Sequence, residues 1–173
     1  SNTPQSYVLL WVLDLEPDNA RMKNMGHESA RASFSQDGRL IYVGTRQSGL
    51  FAIDTASGRV LWRTAIDGGI IGAPLVSTTH VYVGTGAGAL IACRIDDGTV
   101  QWSQKLKGVV RSQPVRVGNH VIVRDGTDTV YAFKHDTGVW SWQYTHGKPN
   151  DFTLAGEAPL FAVSGQVFVG LSD

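Results

Sequence analysis

A segment of eleven residues recurs along this chain at intervals of 40 residues. The recurring positions are an alanine, a glycine six residues later and a tryptophan four residues after that. They are Ala52, Gly58 and Trp62, then Ala92, Gly98 and Trp102, then Ala132, Gly138 and Trp142. A fixed period of this length is typical of a repeat architecture, in which each supersecondary unit stacks on the next.

Each period contains four short apolar segments separated by turn residues, which predict four antiparallel strands. The complete units span about 30–67, 72–107 and 112–144, and residues 1–29 predict a lead-in strand followed by a polar loop. A lone four-stranded sheet cannot bury both of its faces, so neighbouring sheets stack face to face around an axis. The sequence therefore predicts an all-β fold, a β-propeller of four-stranded antiparallel blades.

The period is broken once, near the end of the chain. A valine recurs every 40 residues up to Val123, but the next matching valine is Val169 instead of the residue at position 163. The six additional residues fall within 147–156, and the following unit, 157–173, has two strands and no third. We therefore expect a fragment of a larger ring, with closure through a second copy as the alternative. Long connections on rigid scaffolds often bind partners, which makes 147–156 the first candidate site.

Composition excludes several classes of function. Fifteen basic and fifteen acidic residues cancel without forming a basic stripe, which argues against nucleic-acid binding. The single cysteine, Cys93, excludes an internal disulfide framework and a cysteine-rich zinc site. The longest apolar run, 7–13, is too short to span a bilayer, so we expect membrane association only through a lipid anchor outside this chain.

The polar residues of the turns fit structural roles better than catalytic ones. His80 and His120 each precede a strand at the same place in neighbouring units, which favours a turn role over a metal ligand or a general base. Aspartates before the turn glycines accept hydrogen bonds from turn amides, and calcium binding is the alternative. The glycine-rich segment 84–88 lacks the lysine and the helix of a phosphate loop, so it predicts a hairpin. We therefore predict no catalytic, cofactor-binding or metal-binding residues.

The pattern Ala-x-Asp-x-x-x-Gly-x-x-x-Trp resembles the tryptophan-docking repeat of the PQQ-repeat family of quinoprotein-like propellers. The first copy matches it fully through Asp54, whereas Arg94 and Lys134 replace the aspartate in the next two copies. The resemblance implies that each indole packs between blades against the small alanine, as a structural staple rather than a ligand platform. WD40 repeats have a similar period, but no tryptophan of this chain is followed by an aspartate.

Within this family the chain is most similar to the BamB lipoproteins of the bacterial outer-membrane β-barrel assembly machine. The similarity rests on the lead-in segment Leu9-Leu10-Trp11 and on the inserted connection around Phe152-Thr153-Leu154-Ala155-Gly156-Glu157. It implies a periplasmic, outer-membrane-associated scaffold that is not an enzyme and needs no cofactor. The implied partner is the barrel-inserting subunit of the machine, bound through Phe152, Leu154, Gly156 and Glu157. Ala155 stands where those lipoproteins carry an arginine, whose guanidinium is hard to replace.

The family resemblance leaves two other functions open. One is part of a PQQ-dependent dehydrogenase, although such enzymes carry adjacent cysteines against the quinone and calcium-coordinating acids, and this chain has one cysteine. The other is the sensor domain of a membrane-bound kinase. A shared fold does not decide between these functions and a scaffold.

Overall fold

The computed structural model describes residues 11–13, 30–47, 49–145, 160–163 and 166–169. Blade 1 consists of β1 (Arg31–Phe34), β2 (Leu40–Thr45), β3 (Gly49–Asp54) and β4 (Val60–Thr64). Blade 2 consists of β5 (Leu75–Val76), β6 (His80–Gly84), β7 (Ala89–Arg94) and β8 (Val100–Lys105). Blade 3 consists of β9 (Val115–Val117), β10 (His120–Arg124), β11 (Thr129–Lys134) and β12 (Trp140–Thr145). A further sheet contains β13 (Leu160–Val163) and β14 (Gln166–Val169).

Within each of blades 1 to 3, every strand pairs antiparallel with its sequence neighbours in the same blade, so each blade is a simple four-stranded meander. This topology confirms the predicted all-β fold of propeller blades, with three four-stranded sheets and two strands of another. The described residues form no helix, and therefore none that is long and apolar enough to cross a membrane.

Two strands begin directly after a proline. β5 begins at Leu75, directly after Pro74, and β9 begins at Val115, directly after Pro114. Proline has no amide hydrogen to donate to the ladder, so pairing starts only after it. Of the predicted lead-in strand, the structure describes only residues 11–13, which belong to no strand.

The outer two strands of each blade share one irregularity that follows from the repeated sequence. Ala52 lies opposite Trp62, and the register then shifts by one residue between Ala52 and Ile53. The same shift follows the alanine in blades 2 and 3. The connecting turn closes with a hydrogen bond of 2.8 Å from the Gly58 amide to the Asp54 carbonyl, and Gly58 has a φ of 70°. That left-handed conformation explains why each copy has glycine at this position.

The apolar core lies between the blades. One cluster joins blades 1 and 2 and another joins blades 2 and 3, each with side chains that are almost entirely buried. The sheets approach closely because Gly44 and Gly84 have no side chain. A Cβ atom at Gly44 would lie 2.4 Å from Ile70 Cγ2, and one at Gly84 would lie 2.1 Å from Val110 Cγ1. Face-to-face packing of this kind is what positions the tryptophans at the outer edge of each interface.

Candidate protein-interaction site

A tryptophan joins each described blade to the element before it by the same hydrogen bond. The indole nitrogen of Trp62 donates to the Ile95 carbonyl of blade 2 over 3.1 Å, and that of Trp102 donates to the His135 carbonyl of blade 3 over 3.2 Å. Trp11 donates to the Thr55 carbonyl of blade 1 over 2.8 Å. Although residues 11–13 form no strand, Trp11 therefore makes the contact on blade 1 that Trp62 makes on blade 2.

Each of these rings lies over the turn glycine of the following blade. A Cβ atom would lie 2.7 Å from the Trp11 ring at Gly58, 2.5 Å from the Trp62 ring at Gly98, and 2.6 Å from the Trp102 ring at Gly138. The repeated alanines lie elsewhere, because Ala52, Ala92 and Ala132 are fully buried opposite the tryptophan of their own blade. The contact between blades is therefore made by tryptophan and glycine, and the alanine makes room for the indole within its own sheet.

Blade 3 presents its own tryptophan to solvent. Trp142 is 41% exposed, whereas the equivalent Trp102 is 8% exposed. Trp140 and Tyr144 on the same strand are also exposed. The aromatic side chains of β12 therefore form an open apolar edge.

The predicted partner-binding residues Phe152, Leu154, Gly156 and Glu157 lie outside the described residues. The chain enters this connection from the end of β12 and leaves it at the start of β13. At the entry point, the hydroxyl oxygens of Thr145 and Thr129 are 3.1 Å apart. The connection therefore begins beside the turn between β10 and β11.

That turn contains a buried carboxylate, which the sequence analysis missed. Asp125 accepts hydrogen bonds from the Gly108 amide at 2.8 Å, the Thr127 amide at 2.9 Å and the Tyr131 hydroxyl at 3.1 Å. Its neighbour Arg124 pairs with Asp128 through Nε at 3.1 Å. A carboxylate that accepts several amide hydrogen bonds fixes the turn firmly.

The repeat itself carries the signal that would have revealed this turn. The residues aligned with Arg124 in blades 1 and 2 are both glycine, and those aligned with Asp125 are both threonine. Charged residues therefore replace small or neutral ones only in the blade that precedes the long connection.

The titratable residues that the sequence analysis weighed have structural surroundings. The Ser57 hydroxyl and amide hold the pKa of Asp54 below its usual range, and the Thr99 amide does the same for Asp97. Burial lowers the pKa of His80, whose ring packs against Tyr82. Burial also raises the pKa of the Cys93 thiol to about 12, so it is no nucleophile at neutral pH. Among the described residues, no group of three or more His, Cys, Asp and Glu side chains could hold a metal ion.

Comparison with known proteins places this architecture in a family. The model of the family described as outer membrane protein assembly factor BamB matches residues 8–104 and, a second time, residues 77–173. No match was found among curated protein sequences.

Solved structures share the fold at low sequence identity. BamB from Moraxella catarrhalis superposes with a TM-score of 0.69 at 20% identity, over 81% of this chain and 42% of that one. A quinohemoprotein alcohol dehydrogenase from Pseudomonas putida superposes with a TM-score of 0.55 at 21% identity, over 61% of this chain and 19% of that one. A europium-containing methanol dehydrogenase gives a TM-score of 0.55 at 17% identity, over 65% of this chain and 24% of that one. This chain thus spans less than half the length of each of these proteins.

Proposed function

Because this chain belongs to the family of outer membrane protein assembly factor BamB, we propose that it acts as a non-enzymatic scaffold in outer-membrane β-barrel assembly. Its partner is the barrel-inserting subunit of the assembly machine, and its location is the periplasm, at the outer membrane. The observation that carries the proposal is the family match, which extends through both halves of the chain. Fold similarity alone would not carry it, since dehydrogenases share the blades.

The proposed contact is the connection between β12 and β13, through Phe152, Leu154, Gly156 and Glu157. Phe152 and Leu154 are two residues apart, so an extended backbone would direct both apolar side chains to the same side. The rigid blade before the connection supports this proposal, since Asp125 fixes the turn beside which the connection begins. A preorganised scaffold reduces the entropy lost when a loop binds.

A binding titration tests the proposal with the double variant Phe152→Ala and Leu154→Ala. We expect this variant to bind the periplasmic part of the barrel-inserting subunit at least about tenfold more weakly than the wild type, because apolar anchors dominate such interfaces. The matched control is Val100→Ala with Val139→Ala, which also removes two exposed apolar side chains but lies where the fourth strands of blades 2 and 3 begin. Circular dichroism melting verifies that both variants fold.

Three results would count against the proposal. One is an affinity that the Phe152/Leu154 variant retains in full. Another is an equal loss in the Val100/Val139 variant, which would indicate general hydrophobic adhesion. If the wild type itself does not bind, the assignment of this partner falls, while the family and the fold remain.

A quinoprotein dehydrogenase is the second candidate, favoured by the similarity to two dehydrogenase structures. The residues of this chain do not fit the quinone site of that family. Cys93 is the single cysteine, and it is fully buried between blades 1 and 2 instead of forming a pair with an adjacent cysteine. A titration with quinone and calcium, followed by absorbance, tests this candidate, and a saturable spectral change would support it over the scaffold.

A further inference from the structure

The joint between blades 1 and 2 contains two hydrogen-bond donors on one strand. The Trp62 indole donates to the Ile95 carbonyl oxygen over 3.1 Å, and the Thr64 hydroxyl donates to the Gly98 carbonyl oxygen over 2.6 Å. Trp62 and Thr64 are two residues apart on β4, so their side chains lie on the same face of the sheet. Both donors therefore hold one turn of blade 2, at two carbonyl groups that are three residues apart.

The joint between blades 2 and 3 repeats this arrangement. The Trp102 indole donates to the His135 carbonyl oxygen over 3.2 Å, and the side-chain amide of Gln104 donates to the Gly138 carbonyl oxygen over 2.9 Å. Gly138 has a left-handed backbone with a φ of 70°. A turn that fits these strands therefore presents carbonyl acceptors at its first and fourth residues and has a left-handed glycine as the fourth.

Blade 3 presents two donors at the same positions to solvent. Trp142 lies opposite Ala132, in the register that places Trp102 opposite its alanine, and Tyr144 follows two residues later. Trp142 is 41% exposed and Tyr144 is 58% exposed. Among the glycines that the structure describes, none lies against the Trp142 ring. β12 therefore offers an indole N–H and a phenol O–H at the spacing that holds a turn in the other two joints.

The position of the last described sheet agrees with this exposure. β13 lies against β9, which is at the opposite edge of blade 3 from β12. The outer part of this blade face, around Trp142 and Tyr144, is accordingly open to another polypeptide.

The matching turns of this chain are already covered. Each of their glycines lies under a tryptophan of the same chain: Gly58 under Trp11, Gly98 under Trp62 and Gly138 under Trp102. A second copy would have to release one of these contacts before its turn could cover Trp142. A different polypeptide with an uncovered turn has no such cost, so the geometry favours a partner segment over a second copy.

We propose that Trp142 and Tyr144 form a docking site for a strand-and-turn segment of a partner protein. The Trp142 indole donates to the carbonyl of the first turn residue, and its ring covers the glycine at the fourth. The Tyr144 hydroxyl donates to the carbonyl of that glycine. Thr64 and Gln104 differ in length and both reach such a carbonyl, so this position accommodates donors of different size. The site is separate from the connection around Phe152, and the inference does not depend on the function proposed above.

The test uses a blocked peptide with the sequence of residues 49–60, which contains the strand and turn of blade 1. The unlabelled peptide is titrated into the isotope-labelled full chain, and binding is followed by nuclear magnetic resonance at the indole N–H signal of Trp142. Comparison with Trp142→Phe assigns this signal. We expect a saturable shift. The peptide with Gly58→Ala should bind at least about tenfold more weakly, because alanine disfavours the left-handed backbone and its methyl group would overlap the indole.

Two variants of the protein separate docking from general adhesion. Tyr144→Phe keeps the ring and removes the second donor, so it should weaken peptide binding about threefold to tenfold. Trp140→Phe is the matched control, because Trp140 is also an exposed aromatic residue of β12 but lies beyond the register shift, opposite Phe133. This variant should bind the peptide as the wild type does. Circular dichroism melting verifies that both variants fold.

The proposal fails if the Trp142 signal shows no saturable shift at the highest soluble peptide concentration. It also fails if the Gly58→Ala peptide binds equally well, if Tyr144→Phe retains full affinity, or if Trp140→Phe loses as much affinity as Tyr144→Phe. A Trp142 signal that shifts with protein concentration in the absence of peptide would identify a second copy as the occupant and overturn the assignment to a partner segment.

Discussion

Gly98 has a left-handed backbone, with a φ of 75°, and it lies against the Trp62 ring of the preceding blade. A methyl group here would lie 2.5 Å from Trp62 Cε3 and 2.5 Å from the Thr64 hydroxyl oxygen. We predict that Gly98→Ala lowers the free energy of unfolding by about 3 kcal/mol, because it adds steric overlap to backbone strain. Urea unfolding followed by tryptophan fluorescence measures the change.

Gly38 provides the matched control for backbone strain without the contact. Its φ is 70°, but a Cβ atom there would meet nothing within 4 Å. Gly38→Ala should therefore cost only about 1 kcal/mol. Equal losses in the two variants would mean that tryptophan docking does not depend on the missing side chain of Gly98.

At the scale of elements, the turn between β10 and β11 depends on the charge of Asp125. This side chain is buried and accepts hydrogen bonds from amides and from the Tyr131 hydroxyl. An asparagine would direct its NH₂ group at some of these donors and leave them unpaired. We predict that Asp125→Asn lowers the free energy of unfolding by about 2–4 kcal/mol, as measured by urea unfolding.

Asp136→Asn is the control for removing a carboxylate from an exposed turn. It should change the free energy of unfolding by less than about 0.5 kcal/mol, because exposed substitutions have small effects. A stability of Asp125→Asn equal to that of this control would show that the buried network does not hold the turn.

The strands of this fold could be predicted from the sequence because each blade repeats the same local pattern. The apolar runs and the turn glycine at Gly58 specify strands and turns through short-range effects, and these appear at the predicted places. The start of β5 directly after Pro74 is also a local effect, since proline cannot donate to the ladder. The contacts between blades could be predicted less completely from the sequence. The family pattern indicates that a tryptophan docks, but only packing in three dimensions reveals that it covers Gly98.

The features of the candidate site likewise differ in how far the sequence predicts them. The connection at 147–156 could be found from the sequence, because an insertion shifts every later repeat position. The contacts of Asp125 with the Gly108 amide and the Tyr131 hydroxyl could not, because they depend on packing in three dimensions.

At the scale of the whole molecule, stability resides in the contacts between successive blades. Two of the apolar clusters each join one pair of neighbouring blades, so the three described blades form a nearest-neighbour series. In such a series, each interface contributes its own free energy, and a blade face without a neighbour contributes less. Among the described residues, Trp102 is 8% exposed and Trp142 is 41% exposed, so the two rings differ in how much packing each contributes.

We predict that Trp102→Ala costs about 3–5 kcal/mol of unfolding free energy, as expected for a large buried aromatic side chain. Trp142→Ala should cost less, because its more exposed ring gives up less buried surface than that of Trp102. Urea unfolding at several protein concentrations measures both losses. Equal losses that do not vary with concentration would contradict the nearest-neighbour account, since they would require Trp142 to be as well packed within one chain as Trp102. Equal losses that grow with protein concentration would instead indicate that self-association covers the β12 edge. The concentration series therefore tests whether the aromatic side chains of β12 are exposed in solution.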